Sequence, residues 1–426
     1  MELLIYLILF LLVLIVSSTT NKLLPFLPLP LVQILLGIVI GLFLPNTDFH
    51  LNTELFLALV IGPLLFRESE EADITAILKH WRIIVYLIFP VIFISTLSLG
   101  GLAHLLWLSL PLAACLAVGA ALGPTDLVAF ASLSERFSFP KRVSNILKGE
   151  GLLNDASGLV AFQVALTAWT TGAFSLGQAS SSLIFSILGG FLIGFLTAMT
   201  NRFLHSFLLS VRATDIASEL LLELSLPLVT FFLAEEVHVS GIIAVVVAGI
   251  LKASRFKKIT LLEAQVDTVT ETVWHTVNFM LNGSVFVILG MELEMIAEPI
   301  LTNPIYNPLL LLVSIIALTF VLFAIRFVMI YGYYAYRTRR LKKKLNKYMK
   351  DMLLLTFSGV KGTVSIATIL LIPSNLEQKY PLLLFLVAGV TLVSFLTGLV
   401  VLPHLSDEQE ESKDYLMHIA ILNEVT

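Results

Sequence analysis

The sequence predicts an all-α polytopic membrane protein with about thirteen transmembrane helices, and three observations predict it. First, 58% of the 426 residues are apolar and only 13% are charged, where soluble domains carry about 25% charged residues. Second, mean hydropathy is +0.95, and apolar runs of membrane-crossing length recur along the whole chain. Third, Lys and Arg are sorted between alternate loops. A net charge of −4 gives no basic excess for nucleic acid. Cys115 is the single cysteine, which excludes a disulfide framework. A β-barrel would instead show short alternating strands.

The runs fall at about 2–18, 28–45, 52–66, 81–100, 104–133, 144–170, 180–201, 216–235, 238–253, 271–293, 306–336, 350–372 and 380–404. The first lacks a basic start (Met1-Glu2-Leu3) and leads straight into further spans, so it reads as a retained helix rather than a cleaved signal. With this division, 23 of the 26 Lys and Arg lie on one side of the membrane. Lys379 alone lies on the other, and Arg326 and Lys361 lie within spans. The basic side is cytoplasmic, so the N-terminus is expected outside and the C-terminus inside a multi-pass plasma-membrane protein. Residues 1–404 then form the transmembrane domain, and 405–426 a short acidic cytoplasmic tail that begins with Asp407-Glu408-Gln409-Glu410-Glu411.

An odd number of spans suits one extra helix plus two inverted six-helix repeats, an arrangement transporters use to place interrupted helices at the midplane. Span 5 is interrupted at Gly123-Pro124-Thr125 and span 12 at Ser358 to Thr363, seven spans apart. Counting 1.5 Å per residue from the cytoplasmic ends, Asp126, Asp155, Arg326 and Lys361 each land about 15 Å deep. That is the centre of a ~30 Å core, where an unpaired charge costs on the order of 3 kcal/mol. Glu150 enters slightly lower, on the same helix face as Asn154, with Asp155 turned about 100° away. Arg326 and Lys361 are read as buried pairing partners of Asp126 and Glu150, in a combination the spacing leaves open. Asp155 lies in the small, polar stretch Asn154-Asp155-Ala156-Ser157-Gly158, which lets oxygens and water approach. The carboxylates nearer the loops (Glu68, Glu70, Glu71, Glu219, Glu235, Glu236, Glu292 and Glu294) are read as interfacial and solvated.

Other chemistry has little support. The sequence holds no HExxH, Walker loop, Rossmann glycine fingerprint or GxSxG. His104, His205, His238 and His275 show no metal-ligand spacing, and no resident cofactor or enzymatic activity is expected. Gly189-Gly190 and Gly194 suggest close helix packing. A channel would need a continuous polar pore, whereas these polar residues gather at one depth. An intramembrane aspartyl protease using Asp126 and Asp155 would need a GxGD segment, which is absent.

Three segments, GPTDLVAF at 123–130, GEGLLNDASGLVAF at 149–162 and FSGVKGTVSIAT at 357–368, resemble signature segments of the sodium/proton exchangers of the cation:proton antiporter-1 family, NhaP-type bacterial members in particular. The stretches at 62–69, 234–251 and 273–293 agree and come in the right order. The resemblance implies a homodimer in the lipid bilayer, with spans 5 and 12 crossing as unwound helices. It implies a core bundle from spans 3–6 and 10–13 (about 52–170 and, in part, 271–372), and a dimerisation part from spans 1–2 and 7–9. Asp155 matches the aspartate that binds Na⁺ or H⁺. Asn154 matches the asparagine of electroneutral members, Thr125 and Asp126 match the pair at the span-5 break, and Glu150 matches a glutamate paired with a span-12 arginine. Ser157 is a candidate oxygen ligand. This sequence departs from the family in three places: Lys361 stands for the usual Arg, Gly151 for a frequent Ser, and Arg67 where some members carry an acid.

The expected activity is electroneutral exchange of one Na⁺ (or Li⁺ or K⁺) for one H⁺, by alternating access, with both ions competing for Asp155. The alternative is a symporter or organic-ion carrier on the same fold.

Overall fold

The computed structural model describes residues 2–23, 29–43, 53–72, 74–126, 129–130, 137–172, 176–211, 215–253, 261–304, 306–340, 342, 344–369, 372, 380–405 and 407–408. They are almost entirely helical. In chain order the long elements are α1 (Glu2–Leu23), α2 (Leu29–Phe43), α3 (53–71), α4 (Trp81–Leu106) and α5, whose first half is Leu112–Ala121. Then come α6 (Lys141–Thr171), α7 (Leu176–Ser210), α8 (Ile216–Glu236), α9 (Gly241–Ala253), α10 (Leu261–Thr302) and α11 (Pro308–Arg340). Last are α12, in two halves (Met349–Phe357 and Thr363–Ile369), and α13 (Tyr380–Leu405). Among the described residues, six helices are each long and apolar enough to cross a bilayer, and four shorter ones are apolar. Two-residue strands β1 (Phe137–Ser138) and β2 (Asp407–Glu408) pair antiparallel, which ties the start of the acidic tail to the loop before α6. The rest of the tail lies outside the described residues, as does Lys379.

The chain makes helices because in hydrocarbon every backbone polar group needs an internal partner. Proline is accommodated by local widening. A π-turn at Leu87–Val91 holds Pro90 inside α4, and another at Leu57–Ile61 precedes Pro63 in α3. A wider turn absorbs the hydrogen bond that a proline cannot donate. The helices pack as two groups: α2 lies along α10, and α3 with α7 and α8 packs on α9. In the other group, α4, α5 and α6 pack in sequence, and α11 lies against α4 and α13. The groups meet where Phe286 of α10 approaches Phe395 of α13, ring centroids 6.3 Å apart.

Two boundaries differ from the sequence expectation. The fourth span was expected to end at 100, yet α4 continues to Leu106, and α5 starts after Pro111 rather than at 104. Gly100 marks a helix crossing, not a helix end. A Cβ there would meet the Leu116 Cα at 2.8 Å and the Cys115 carbonyl at 2.9 Å, and one on Gly119 would meet the Thr96 carbonyl at 2.3 Å. Gly101, the next residue, has nothing within 4 Å. The expectation for α7 agrees with its packing: a Cβ on Gly194 would meet the Ala244 carbonyl of α9 at 2.2 Å.

At the head of α4, burial and the positive charges of Arg142, Arg337 and Lys79 hold the His80 imidazole below its usual value of 6.5. The unfolded chain therefore takes up this proton first, and folded-state stability is lost as pH falls below 6.5 towards the lowered folded value.

Two outcomes follow. Gly100→Val should lower stability by roughly 1–3 kcal/mol through overpacking, while Gly101→Val leaves the thermal unfolding midpoint in detergent within about a degree or two. His80→Asn should flatten the acid side of the stability profile below pH 6.5, measured by the same melts.

Candidate functional site

The two interrupted helices meet. The amide of Asp126, at the break in α5, donates to the Val360 carbonyl in the break of α12 at 3.1 Å. Lys361 is 1% exposed, and its Nζ donates to the carbonyls of Gly123 (2.8 Å) and Pro124 (2.6 Å). These follow the C-terminal end of the first half of α5, where helix dipoles leave partial negative charge and a cation is favoured. The Lys361 amide donates to Ser394 Oγ of α13 at 3.0 Å. Asp126 plays the converse part: its Oδ1 accepts from the Ala129 amide at 2.8 Å, capping the backbone after the break.

A second base seals the other break. Arg326 of α11, 4% exposed, donates from Nε to the Leu355 carbonyl in the last turn of α12's first half, at 3.0 Å. Its Nη1 and Nη2 grip Glu150 Oε1 and Oε2 at 2.6 and 2.8 Å. A bidentate fork of this kind is what guanidinium offers and ammonium does not. The alternatives left open by the spacing are thereby decided for Glu150. It is held by Arg326 and not by the span-12 base that the resemblance implied, because Lys361, a compact point charge, is drawn to the carbonyls of the α5 break.

The glycines of the second break are required by these contacts. A Cβ on Gly359 would lie 2.3 Å from Arg326 Nε, and one on Gly362 2.0 Å from Asp126 Oδ2. Neither base nor acid could approach the broken backbone past a side chain.

From Glu150 the hydrogen bonds lead to neutral oxygens. Thr125 Oγ1 donates to Glu150 Oε1 at 3.2 Å. Asn154 Nδ2 donates to Thr125 Oγ1 at 2.5 Å and to the Thr125 carbonyl at 3.1 Å. The Thr125 hydroxyl has spent its proton on Glu150 and keeps acceptor capacity. Asn154 Oδ1 is buried and has no hydrogen-bond partner among the described residues. A buried acceptor left so costs about 1–3 kcal/mol, which a cation or water would offset. Asp155 is the next residue of α6, with its side chain outside the described residues. Ser157 follows, half-buried. Sequence reasoning thus singled out Thr125, Asp126, Glu150, Asn154, Arg326 and Lys361, and the fold brings all six to one crossing.

The reading of the loop-side carboxylates as solvated needs correction. Glu70 and Glu219 have side chains 16% and 12% exposed, Glu70 ion-paired and Glu219 in hydrogen-bond contact with a histidine. Arg67 binds Glu70 at 3.0 Å and Glu71 at 2.6 Å. Lys252 bridges Glu70 (3.2 Å) and Glu223 (2.8 Å), and Trp274 Nε1 donates to Glu223 at 2.9 Å. His205 meets Glu219 at 2.9 Å. Glu223 was missed, although an acid within the apolar run Leu220 to Pro227 carries the same signal that marked the midplane charges. The side chains of Glu292 and Glu294 lie outside the described residues.

Residues 7–406 match the family described as sodium/hydrogen exchanger, transmembrane. The chain belongs to this family. An antiporter of sodium, potassium, lithium and rubidium from Bacillus pumilus is 35% identical to this exchanger-family chain over 95% of its length and 61% of the relative's. The protein of the same description from Bacillus subtilis is 36% identical over 92% and 60%. The chain therefore spans about 60% of the length of these curated relatives. The fold matches that of the sodium proton antiporter MjNhaP1 from Methanocaldococcus jannaschii, with a TM-score of 0.67 and 20% identity, over 95% of this chain and 98% of that one.

Glu150→Gln should leave Arg326 buried without its counter-charge and cost about 3–5 kcal/mol. Glu150→Gln combined with Arg326→Met should recover part of that loss. Urea unfolding in micelles reads both, and additive losses would break the assignment of this pair.

Proposed function

We propose that this protein exchanges a monovalent cation for H⁺ across the membrane, with Na⁺ first among the candidates and Li⁺ and K⁺ beside it. The observation that carries the reading is the pairing pattern at the crossing. Glu150 is matched to Arg326, Asp126 Oδ1 to a backbone amide, and Lys361 to the Gly123 and Pro124 carbonyls. Beside this set, Thr125 Oγ1 and Asn154 Oδ1 keep acceptor capacity for a hard cation, and Asn154 adjoins Asp155 in α6. In this reading Asp155 carries either one proton or one cation. Thr125, Asn154 and Ser157 lend neutral oxygens, and Asp126 shapes the break beside them. Asn154, where a second acid would add a charge, keeps the exchange electroneutral at one for one.

Only a loaded, neutral Asp155 would cross the apolar barrier, since a bare carboxylate there costs several kcal/mol. That condition alone enforces exchange rather than leak. The division that the resemblance implies suggests how the site moves: α3–α6 and α10–α13 would shift as a unit against α1, α2 and α7–α9. The names of the Bacillus relatives support a cation/H⁺ antiport activity, and that of MjNhaP1 agrees with it. A homodimer in the plasma membrane, with the basic end cytoplasmic, completes the reading.

The test is a pH-sensitive dye trapped in proteoliposomes, with NaCl or KCl added under a clamped membrane potential. Cation-driven proton movement is expected, and Asp155→Asn should reduce it at least a hundredfold while the protein still melts cooperatively. Exchange that survives Asp155→Asn would remove Asp155 from its role. A response that follows the imposed potential would exclude electroneutrality.

A further inference from the structure

A cavity of about 500 Å³ lies between α11, the first half of α12 and α13. Its walls include Phe320, Phe323, Ala324 and Phe327 of α11, Phe357 of α12 and Thr397 of α13. Phe320 is 71% exposed, so the cavity opens sideways, towards the surroundings of the helix bundle. The polar groups in its wall are already satisfied. Thr319, Thr356 and Thr397 each donate the hydroxyl to a carbonyl of their own helix, four residues back, at 2.7–2.8 Å. These bonds leave no hydroxyl proton for a polar guest. A water-filled or sugar-like occupant would find nothing to bind, whereas a hydrocarbon chain would be buried on three sides.

One end of the groove is basic. On α13 the stripe of Val393 and Thr397 continues to His404, which is exposed. On α12, Leu353 is one turn from Lys350, also exposed, and Lys347 lies exposed in the short helix Leu345–Tyr348 just before. The last turn of α11 adds Arg337, Arg339 and Arg340 at the same end. An apolar slot of membrane-spanning helices that ends at a cationic rim matches one chemistry, an anionic head attached to an acyl tail.

We propose that this groove is a binding site for an anionic phospholipid, with one acyl chain between α11, α12 and α13 and the headgroup at Lys347, Lys350 and His404. The site has a mechanical consequence. Phe323 and Phe357, ring centroids 5.4 Å apart, form the partition between the groove and the crossing. Behind that partition are Arg326, the residue before the groove-lining Phe327, and Ser358, which follows Phe357 at the start of the α12 break. A seated chain would therefore brace the end of the broken helix from the outside, and the bilayer's anionic lipid content would reach the crossing through it. The proposal does not depend on which ions the protein carries.

The experiment uses the full chain in vesicles of phosphatidylcholine doped with a trace of phosphatidylglycerol bearing a photoreactive acyl chain. Labelled peptides are mapped by mass spectrometry, with a phosphatidylcholine probe of the same chain as reference. Labelling should concentrate on 316–327, 353–357 and 393–397, and the phosphatidylglycerol probe should exceed the reference several-fold there. Ala324→Phe, which fills the slot from a lipid-side position, should abolish groove labelling and leave labelling of α7 unchanged. Lys347→Gln with Lys350→Gln should equalise the two probes while groove labelling persists. Uniform labelling of all outward faces that ignores Ala324→Phe would overturn the site. Equal labelling by both probes in the unaltered protein would overturn the headgroup assignment. Chain-to-chain cross-links at the groove would show a second copy seated there instead.

Discussion

An interrupted helix inside a bilayer presents bare carbonyls at one broken end and bare amides at the other, and hydrocarbon offers them nothing. Everything at the crossing answers that demand. Lys361 of one broken helix caps the carbonyls of the other, at Gly123 and Pro124. Arg326 caps Leu355 from a third helix, and Asp126 caps the amide of Ala129. The charges are thus not added to a finished scaffold. Each is the counterpart of a helix end, and each base or acid is stabilised where the dipole of that end favours its sign.

The same demand explains why the breaks are rich in glycine and why they touch. A direct bond joins the Asp126 amide to the Val360 carbonyl, so part of each break is satisfied by the other. That exchange requires backbone at contact distance, and Gly359 and Gly362 provide it where the Arg326 and Asp126 side chains press in. Replacing water by a partner break keeps the region polar yet compact. A pocket for a small cation needs both properties, since oxygens must be near but not all consumed.

The helical runs, the two breaks and the common depth of Asp126, Arg326 and Lys361 were legible in the sequence because each depends on local composition or on counting along one helix. The partner of Glu150 was not. Glu150 and Arg326 are 176 residues apart, and the choice between Arg326 and Lys361 turns on side-chain shape: a planar fork suits a carboxylate, and a single ammonium suits two converging carbonyls. The α4–α5 boundary was misread because a glycine pair signals a helix end and a helix crossing alike. The Arg67–Glu70–Lys252–Glu223 chain of ion pairs was hidden for a third reason. Its members sit near span ends, where solvation is the ordinary fate of a charge, and only the packing of α3, α8, α9 and α10 removes the solvent.

The arrangement also bears on why a single carboxylate suffices for the proposed exchange. If the crossing held unmatched charges of its own, moving it through the apolar barrier would carry them too, and binding one ion would not neutralise the unit. Glu150 is matched by Arg326, and the positive Lys361 at the α5 carbonyls is balanced by the negative Asp126 at the Ala129 amide, so the frame's charge is a constant that travels at little electrostatic expense. In the proposed exchange the state of Asp155 would then be the one variable. A proton and a monovalent cation cancel it equally, so either loaded form would move and the empty form would not. On this argument the fixed pairs stabilise the broken helices and also make the coupling possible, because they leave a single charge for the transported ion to cancel.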